Sequence, residues 1–309
     1  MGGVNDPRMG TINQRERCKT CDCGYSGQSK MSDCAGHFGH IELSRAVYHC
    51  GFMDEVLKVL NCVCFHCSKL LLDKNDHRSK LALSYKDPQT RMRAICTLCK
   101  TKKRCQTADV SQMTSMLNDL GEIGENGVTA ATPASESVGC GGMVPKITRK
   151  GLLFEVEFPE NMEDIPGNGE RRQRLSAQKA FEILKNVSDE DAITLGLDPK
   201  WVRPEWMIVT VLPVPPPHVR PSVEVPGMAA SADDLTHQLI SIVKTNMFLE
   251  DSIRKGEPPH IIESFEELLQ FRVTAFFDNE RADMPNETQL SGRPLKTLRQ
   301  RLRGKEGRI

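Results

Sequence analysis

The chain has 309 residues, and its 41 Lys plus Arg balance 41 Asp plus Glu, so overall charge argues for neither a nucleic acid nor a membrane surface as partner. Apolar residues make up 39% of it, enough for one large domain or two to three modules. No apolar run is long enough to span a bilayer, and residues 1–10 lack the apolar stretch of an export signal. Twelve cysteines, mostly in short pairs, point to metal in a reducing compartment rather than to disulfides, and the protein is expected to be soluble and intracellular.

In chain order, the first chemistry-bearing stretch is Cys18-x2-Cys21, a loop, and Cys34-x2-His37. Three thiolates and an imidazole at these spacings can close a tetrahedron around Zn2+. A short apolar piece (Ile41, Leu43, Val47) then leads into Phe52, Val56, Val59 and Leu60, whose spacing predicts a helix. That helix delivers the chain to Cys62-Val63-Cys64-Phe65-His66-Cys67. A charged segment predicted to be helical follows, then Cys96-x2-Cys99, Cys105 and, much later, Cys140 between Gly139 and Gly141. One zinc needs four of these ligands. Cys64, Cys67, Cys96 and Cys99 would make a zinc ribbon; Cys64, Cys67, Cys105 and Cys140 would make a wider clasp. Spacing favours the ribbon without deciding. Residues 107–137, rich in Ser, Thr, Asn and Gly, predict a loop or insertion.

A different composition begins at Pro145. Residues 152–158 predict a strand and residues 159–169 a loop. Ser176 is the expected N-cap of a helix with Ala177, Ala180, Phe181 and Leu184 on its apolar face, and Ser188 with Asp191 predicts a second, short helix closed by Gly196. Residues 207–212 read as a buried strand that ends at Pro213-Val-Pro-Pro-Pro217, an extended and stiff segment from which residues 218–231 project as a loop. The clearest helix covers residues 233–253. Leu235, Leu239, Ile242, Asn246, Leu249 and Ile253 form a seam with one polar position, of the kind that fixes register. A turn at residues 255–259 stops it, and a second seam through Ile262, Phe265, Leu269, Val273 and Phe276 predicts an antiparallel pair of helices. Positive charge then concentrates in Arg293, Lys296, Arg299, Arg301, Arg303, Lys305 and Arg308, against one acid, Glu306. Such a strip suits contact with phosphates, each of which releases counterions when neutralised.

Taken together, Asn5-Asp-Pro-Arg-Met-Gly10, Cys18-Lys-Thr-Cys21, Cys34-Ala-Gly-His-Phe-Gly-His-Ile-Glu-Leu43, Arg203-Pro-Glu-Trp-Met207, Leu212-Pro-Val-Pro-Pro-Pro217 with Val219-Arg-Pro-Ser222, and Gly304-Lys-Glu-Gly-Arg-Ile309 closely resemble the largest subunit of eukaryotic DNA-directed RNA polymerase II, collinearly over almost the whole chain. The resemblance implies an α+β fold, the zinc-stabilised clamp core with an antiparallel helical hairpin. Its parts would be a zinc-binding region at 1–145, a mixed core with a lid-like loop at 146–232, the hairpin at 233–283, and a rudder-like loop with the start of a switch region at 284–309. It implies two zinc ions, one on Cys18, Cys21, Cys34 and His37, the other on Cys64, Cys67, Cys105 and Cys140, with Cys62, Cys96 and Cys99 left as non-ligands. Cys23 offers a second thiol for the place of Cys21. Implied partners are the DNA template, the RNA–DNA hybrid, the second-largest subunit, and initiation and elongation factors at the hairpin tip, all in the nucleus. The Asn-Ala-Asp-Phe-Asp-Gly-Asp motif that holds catalytic Mg2+ in the family does not occur here, so no residue of this chain is expected to be catalytic. The chain is expected to be a piece of a longer subunit. A RING-type ubiquitin ligase is the competing reading; it would need a further cysteine shortly after His40, where Leu43 stands.

Overall fold

The computed structural model describes residues 2–13, 16–24, 33–73, 76–105, 139–160, 162, 165–167, 169–223, 231–289, 291–305 and 307. The predicted insertion at 107–137, Arg308 and residues 224–230 of the lid-like loop lie outside them. In chain order the elements are β1 (Gly39–Tyr48), α1 (Met53–Leu60), α2 (His77–Leu83), α3 (Pro88–Cys99), β2 (Lys146–Lys150), β3 (Leu153–Glu157), β4 (Arg172–Leu175), α4 (Ala177–Lys185), α5 (Asp189–Thr194), β5 (Ile208–Val214), α6 (Asp234–Lys255), α7 (Pro259–Phe277) and α8 (Leu298–Leu302). No helix among the described residues is long and apolar enough to cross a membrane. The chain forms two compact units, Met1–Gly51 with Ile208–Ile309, and Phe52–Met207.

In the first unit the core is a helix pair against a two-stranded ribbon. Leu235, Leu239, Ile242 and Leu249 of α6 face Leu269, Val273 and Phe276 of α7, and Val47, Leu212 and Val214 of the strands close the cluster. The helices run in opposite directions, since Gln238 donates to the carbonyl of Ala275 while Phe248 stacks on Phe265. Asp233 caps α6 by accepting from the N–H of Leu235, and Gly256 ends it in the left-handed conformation at φ 68°. β1 and β5 pair antiparallel from Gly39 opposite Val214 to Tyr48 opposite Ile208. The strand therefore runs two residues past the expected stop at Leu212. Pro213 is tolerated because each strand of a two-stranded ribbon has a free edge that needs no N–H. It is also not continuously buried: Val211 faces outward.

The polar seam position has a defined task. Between Glu42 and Val47 the ribbon register shifts. There Asn246 donates to the carbonyl of Glu42 (2.9 Å) and accepts from the N–H (2.8 Å) and hydroxyl (3.0 Å) of Ser44. One amide side chain thus replaces the ladder bonds that the bulge interrupts. On α7, Gln270 binds the end of the same strand, accepting from the N–H of Tyr48 (2.7 Å) and donating to its carbonyl (2.9 Å). Two helix amides dock the strand by imitating a neighbouring strand, so Asn246→Ala is expected to leave bulge groups unpaired and to cost about 2 kcal/mol in urea unfolding.

The second unit holds the antiparallel sheet β2-β3-β4, in which Phe154 and Val156 of β3 are buried, as are Leu184 of α4 and Val56 of α1. Ser176 and Ser188 cap α4 and α5 through the N–H groups of Lys179 (3.2 Å) and Asp191 (3.1 Å). Ile183 is buried on α4, whereas Phe181, assigned to that face from sequence, is half-buried. Arg203 reaches back to the carbonyls of Lys185 and Val187 (3.2 Å each) and pairs with Glu205 (3.0 Å), satisfying the orphan acceptors at the end of α4.

Candidate metal centres

Two ligand quartets form, one in each unit. The donor atoms of Cys18, Cys21, Cys34 and His37 all lie within 4.8 Å of one another, as do those of Cys64, Cys67, Cys105 and Cys140. Four donors around one zinc at ~2.3 Å sit roughly 3.8 Å apart. The observed separations match: Cys64 to Cys140 is 3.6 Å, Cys67 to Cys105 is 3.7 Å, and Cys34 Sγ to His37 Nε2 is 3.9 Å. Seven thiols and one imidazole are a soft, tetrahedral donor set, which suits zinc better than calcium or magnesium.

Both leading cysteine pairs are shaped by the same backbone device. The N–H of Cys18 bonds to the carbonyl of Cys23 (2.9 Å) and that of Asp22 to the carbonyl of Cys18 (3.0 Å). At Cys64 the partners are the carbonyl of Lys69 (2.8 Å) and the N–H of Ser68 (2.9 Å). In each, the residue four after the first cysteine takes the left-handed conformation, Asp22 and Ser68 both at φ 61°. This tight reversal turns two thiols toward one point. The remaining ligands are held by other segments: the N–H of His37 bonds to the carbonyl of Met9 (2.9 Å), and the N–H of Cys105 to that of Gly142 (2.8 Å). Gly36, at φ 80°, has no room for a side chain, because a Cβ there would meet Pro216 at 2.7 Å and His218 Nδ1 at 2.9 Å.

Without a cation the thiols divide their protons unevenly. Backbone N–H donation from Cys23 holds Cys21 down at about 7, while burial pushes Cys34 up to about 11. In the other quartet burial raises Cys64 and Cys105. Burial also opposes ionisation of Cys67, but N–H groups of Lys69 and Cys140 and neighbouring thiols outweigh it and bring it to about 7. A cation would displace the remaining protons.

The ribbon favoured by spacing does not form. Cys96 and Cys99 lie inside the last turn of α3, so they are not a turn-borne pair. Their neighbour is Cys62, whose Sγ is 3.2 Å from that of Cys96. Cys23 is buried with Cys18 and Cys34, but the mutually close set uses Cys21. The quartets are also sequential along the chain, not interleaved, and give no support to a RING.

The basic strip is partly neutralised within the fold. Arg293 pairs with Asp234 (3.1 Å), Arg301 with Asp233 (2.5 Å) and Arg299 with Asp278. Lys296, Arg303 and Lys305 are exposed and have no ion-pair partner among the described residues. Sequence reasoning missed two organisers. Asn279, buried, ties the loop before α8 by donating to the carbonyl of Glu287 (2.8 Å) and accepting from its N–H (2.7 Å). Arg220, also buried, joins the carbonyls of Pro215 and Val4 to Thr236 on α6. A lone arginine after a proline run was the available signal.

A family model described as RNA polymerase Rpb1, domain 1, matches residues 1–309.

Proposed function

We propose a role for this chain from the premise that it belongs to the family of the largest RNA polymerase subunit, matched over residues 1–309. That family is the largest subunit of DNA-directed RNA polymerase, a nucleotidyltransferase that works with DNA and with other polymerase subunits. The chain is the clamp region of a eukaryotic RNA polymerase II, acting in the nucleus. It encloses DNA and the RNA–DNA hybrid and supports RNA synthesis without itself holding the catalytic magnesium. The whole-length family match carries this reading, and the two ligand quartets support it. Zinc bound by Cys18, Cys21, Cys34 and His37, and by Cys64, Cys67, Cys105 and Cys140, would fix the short turns that have little apolar core of their own. The pair α6 and α7 is the clamp's helical hairpin, with residues 255–259 at its factor-docking tip. Residues 213–232 act as the lid, 284–302 as the rudder, and 304–309 as the start of the switch.

In this reading the nucleic-acid-binding side chains divide by what the fold leaves free. Lys296, Arg303 and Lys305 meet phosphate directly, while Arg293, Arg299 and Arg301 chiefly hold the strip in place through Asp234, Asp278 and Asp233. The test is binding of a labelled RNA–DNA hybrid over a salt series. Affinity should fall as salt rises, and replacing Lys296, Arg303 and Lys305 together by Ala should flatten the log–log slope by about 0.7–0.9 for each phosphate that is no longer neutralised. Binding indifferent to salt, or a slope the triple variant leaves unchanged, would remove the strip from the interface.

A further inference from the structure

Of the cysteines outside the quartets, three stand together. Cys62, at the exit of α1, and Cys96 and Cys99, on one face of α3, are all buried, at 0%, 8% and 2% exposure. Cys62 is the centre of the group: its Sγ lies 3.2 Å from Cys96 Sγ, and its thiol also interacts with that of Cys99. Cys96 is the rim member, lying near the ammonium groups of Lys58 and Lys100.

We propose that Cys62, Cys96 and Cys99 form a third thiol site, one that takes a trivalent thiophilic ion of low coordination number, with arsenic(III) as its representative. Charge and coordination number select this class. Three thiolates around a trivalent ion make a neutral complex, which a dry pocket accepts. A divalent ion would leave a buried negative charge, and a monovalent one would leave two. Zinc would also want a fourth ligand, and no fourth His, Cys, Asp or Glu stands with these three among the described residues; the three thiols themselves are not all within 4.8 Å of one another, unlike the members of the two quartets, so the ion would have to draw them together. Thiolates sharing one ion at ~2.3 Å lie within roughly 4 Å of one another, a condition the Cys62–Cys96 edge already meets. The edge between Cys96 and Cys99 closes by χ1 rotation, because positions i and i+3 of a helix are neighbours on one face. The reaction balances without redox change: arsenous acid, As(OH)3, exchanges three As–O bonds for three As–S bonds, and three thiol protons leave with the hydroxyls as three waters. The product would tie the segment entering the Cys64 quartet to α3.

The test uses the zinc-loaded full chain, a non-thiol reductant and arsenous acid, read by native mass spectrometry. One arsenic should be taken up per chain with loss of three protons and with both zinc ions retained. Maleimide mapping after unfolding, against an arsenic-free control, should show Cys62, Cys96 and Cys99 protected together only when arsenic is bound, a readout that needs no variant. Cys96→Ser should abolish the uptake while keeping both zincs, and Cys50→Ser should leave uptake unchanged. Arsenic that enters only as zinc leaves, or uptake that persists in Cys96→Ser, would overturn the site.

Discussion

Cys34→Ser is expected to cost the protein one metal ion and the fold around it, and Cys140→Ser the other, each variant retaining the second ion. The scale of metal binding decides the outcome. Structural zinc contributes on the order of 10 kcal/mol of apparent binding free energy in small thiolate sites, comparable to the whole net stability of a domain at roughly 5–15 kcal/mol. The segments concerned have little else. Among the described residues, the buried apolar cluster around Cys18, Cys23 and Cys34 consists of those cysteines alone. Because the two ligand sets share no residue, the losses should be separate. Metal content by plasma emission, with protease sensitivity mapped along the chain, checks both. Cys99→Ser should keep both ions and Cys105→Ser should lose one; the reverse would restore the ribbon.

Asp234→Ala should destabilise the protein by about 3 kcal/mol. Its buried carboxylate accepts from the N–H of Lys296 (3.1 Å), from Gln289 (2.6 Å) and from Arg293 (3.1 Å), so it fastens the basic segment to the start of α6. Arg293 is 61% exposed, and that ion pair by itself contributes little. The cost comes from the backbone N–H and the amide left unpaired. Burial works against ionisation here, but the three donors prevail and hold the carboxyl below its ordinary value. A depressed folded-state pKa adds stability that is present above the unfolded carboxylate range and is lost as pH falls through the folded value. Urea midpoints compared near neutrality and in acid should therefore converge for Asp234→Ala and the parent chain.

Local signals carried far in this sequence. Ser176 and Ser188 announced their helices because capping is decided within three residues. Gly196 and Gly256 ended theirs for the same reason. The ligand pairs Cys18 with Cys21 and Cys64 with Cys67 were legible because a single turn determines them. What spacing could not supply was the choice of Cys105 and Cys140 over Cys96 and Cys99; that came from resemblance, and its physical cause is that α3 continues through Cys99. Asn246 was read as a polar register position, but its partners, Glu42 and Ser44, lie some two hundred positions away. The strip from Arg293 to Lys305 looked uniformly free for the same reason: Asp233 and Asp234, which neutralise part of it, sit at the far end of a helix pair. The division of the chain into compact units was likewise hidden, since Met1–Gly51 joins Ile208–Ile309 through contacts between residues far apart in sequence, such as the pairing of β1 with β5 and the bond from Arg220 to the carbonyl of Val4.

The account rests on two tetrahedral centres built from these eight side chains, and zinc-edge X-ray absorption of the full chain tests it most directly. It predicts two zincs per chain whose averaged ligand shell is seven sulfurs and one nitrogen shared between them, with sulfur at ~2.3 Å. A shell dominated by oxygen or nitrogen, or a single zinc per chain with every thiol intact, would contradict it.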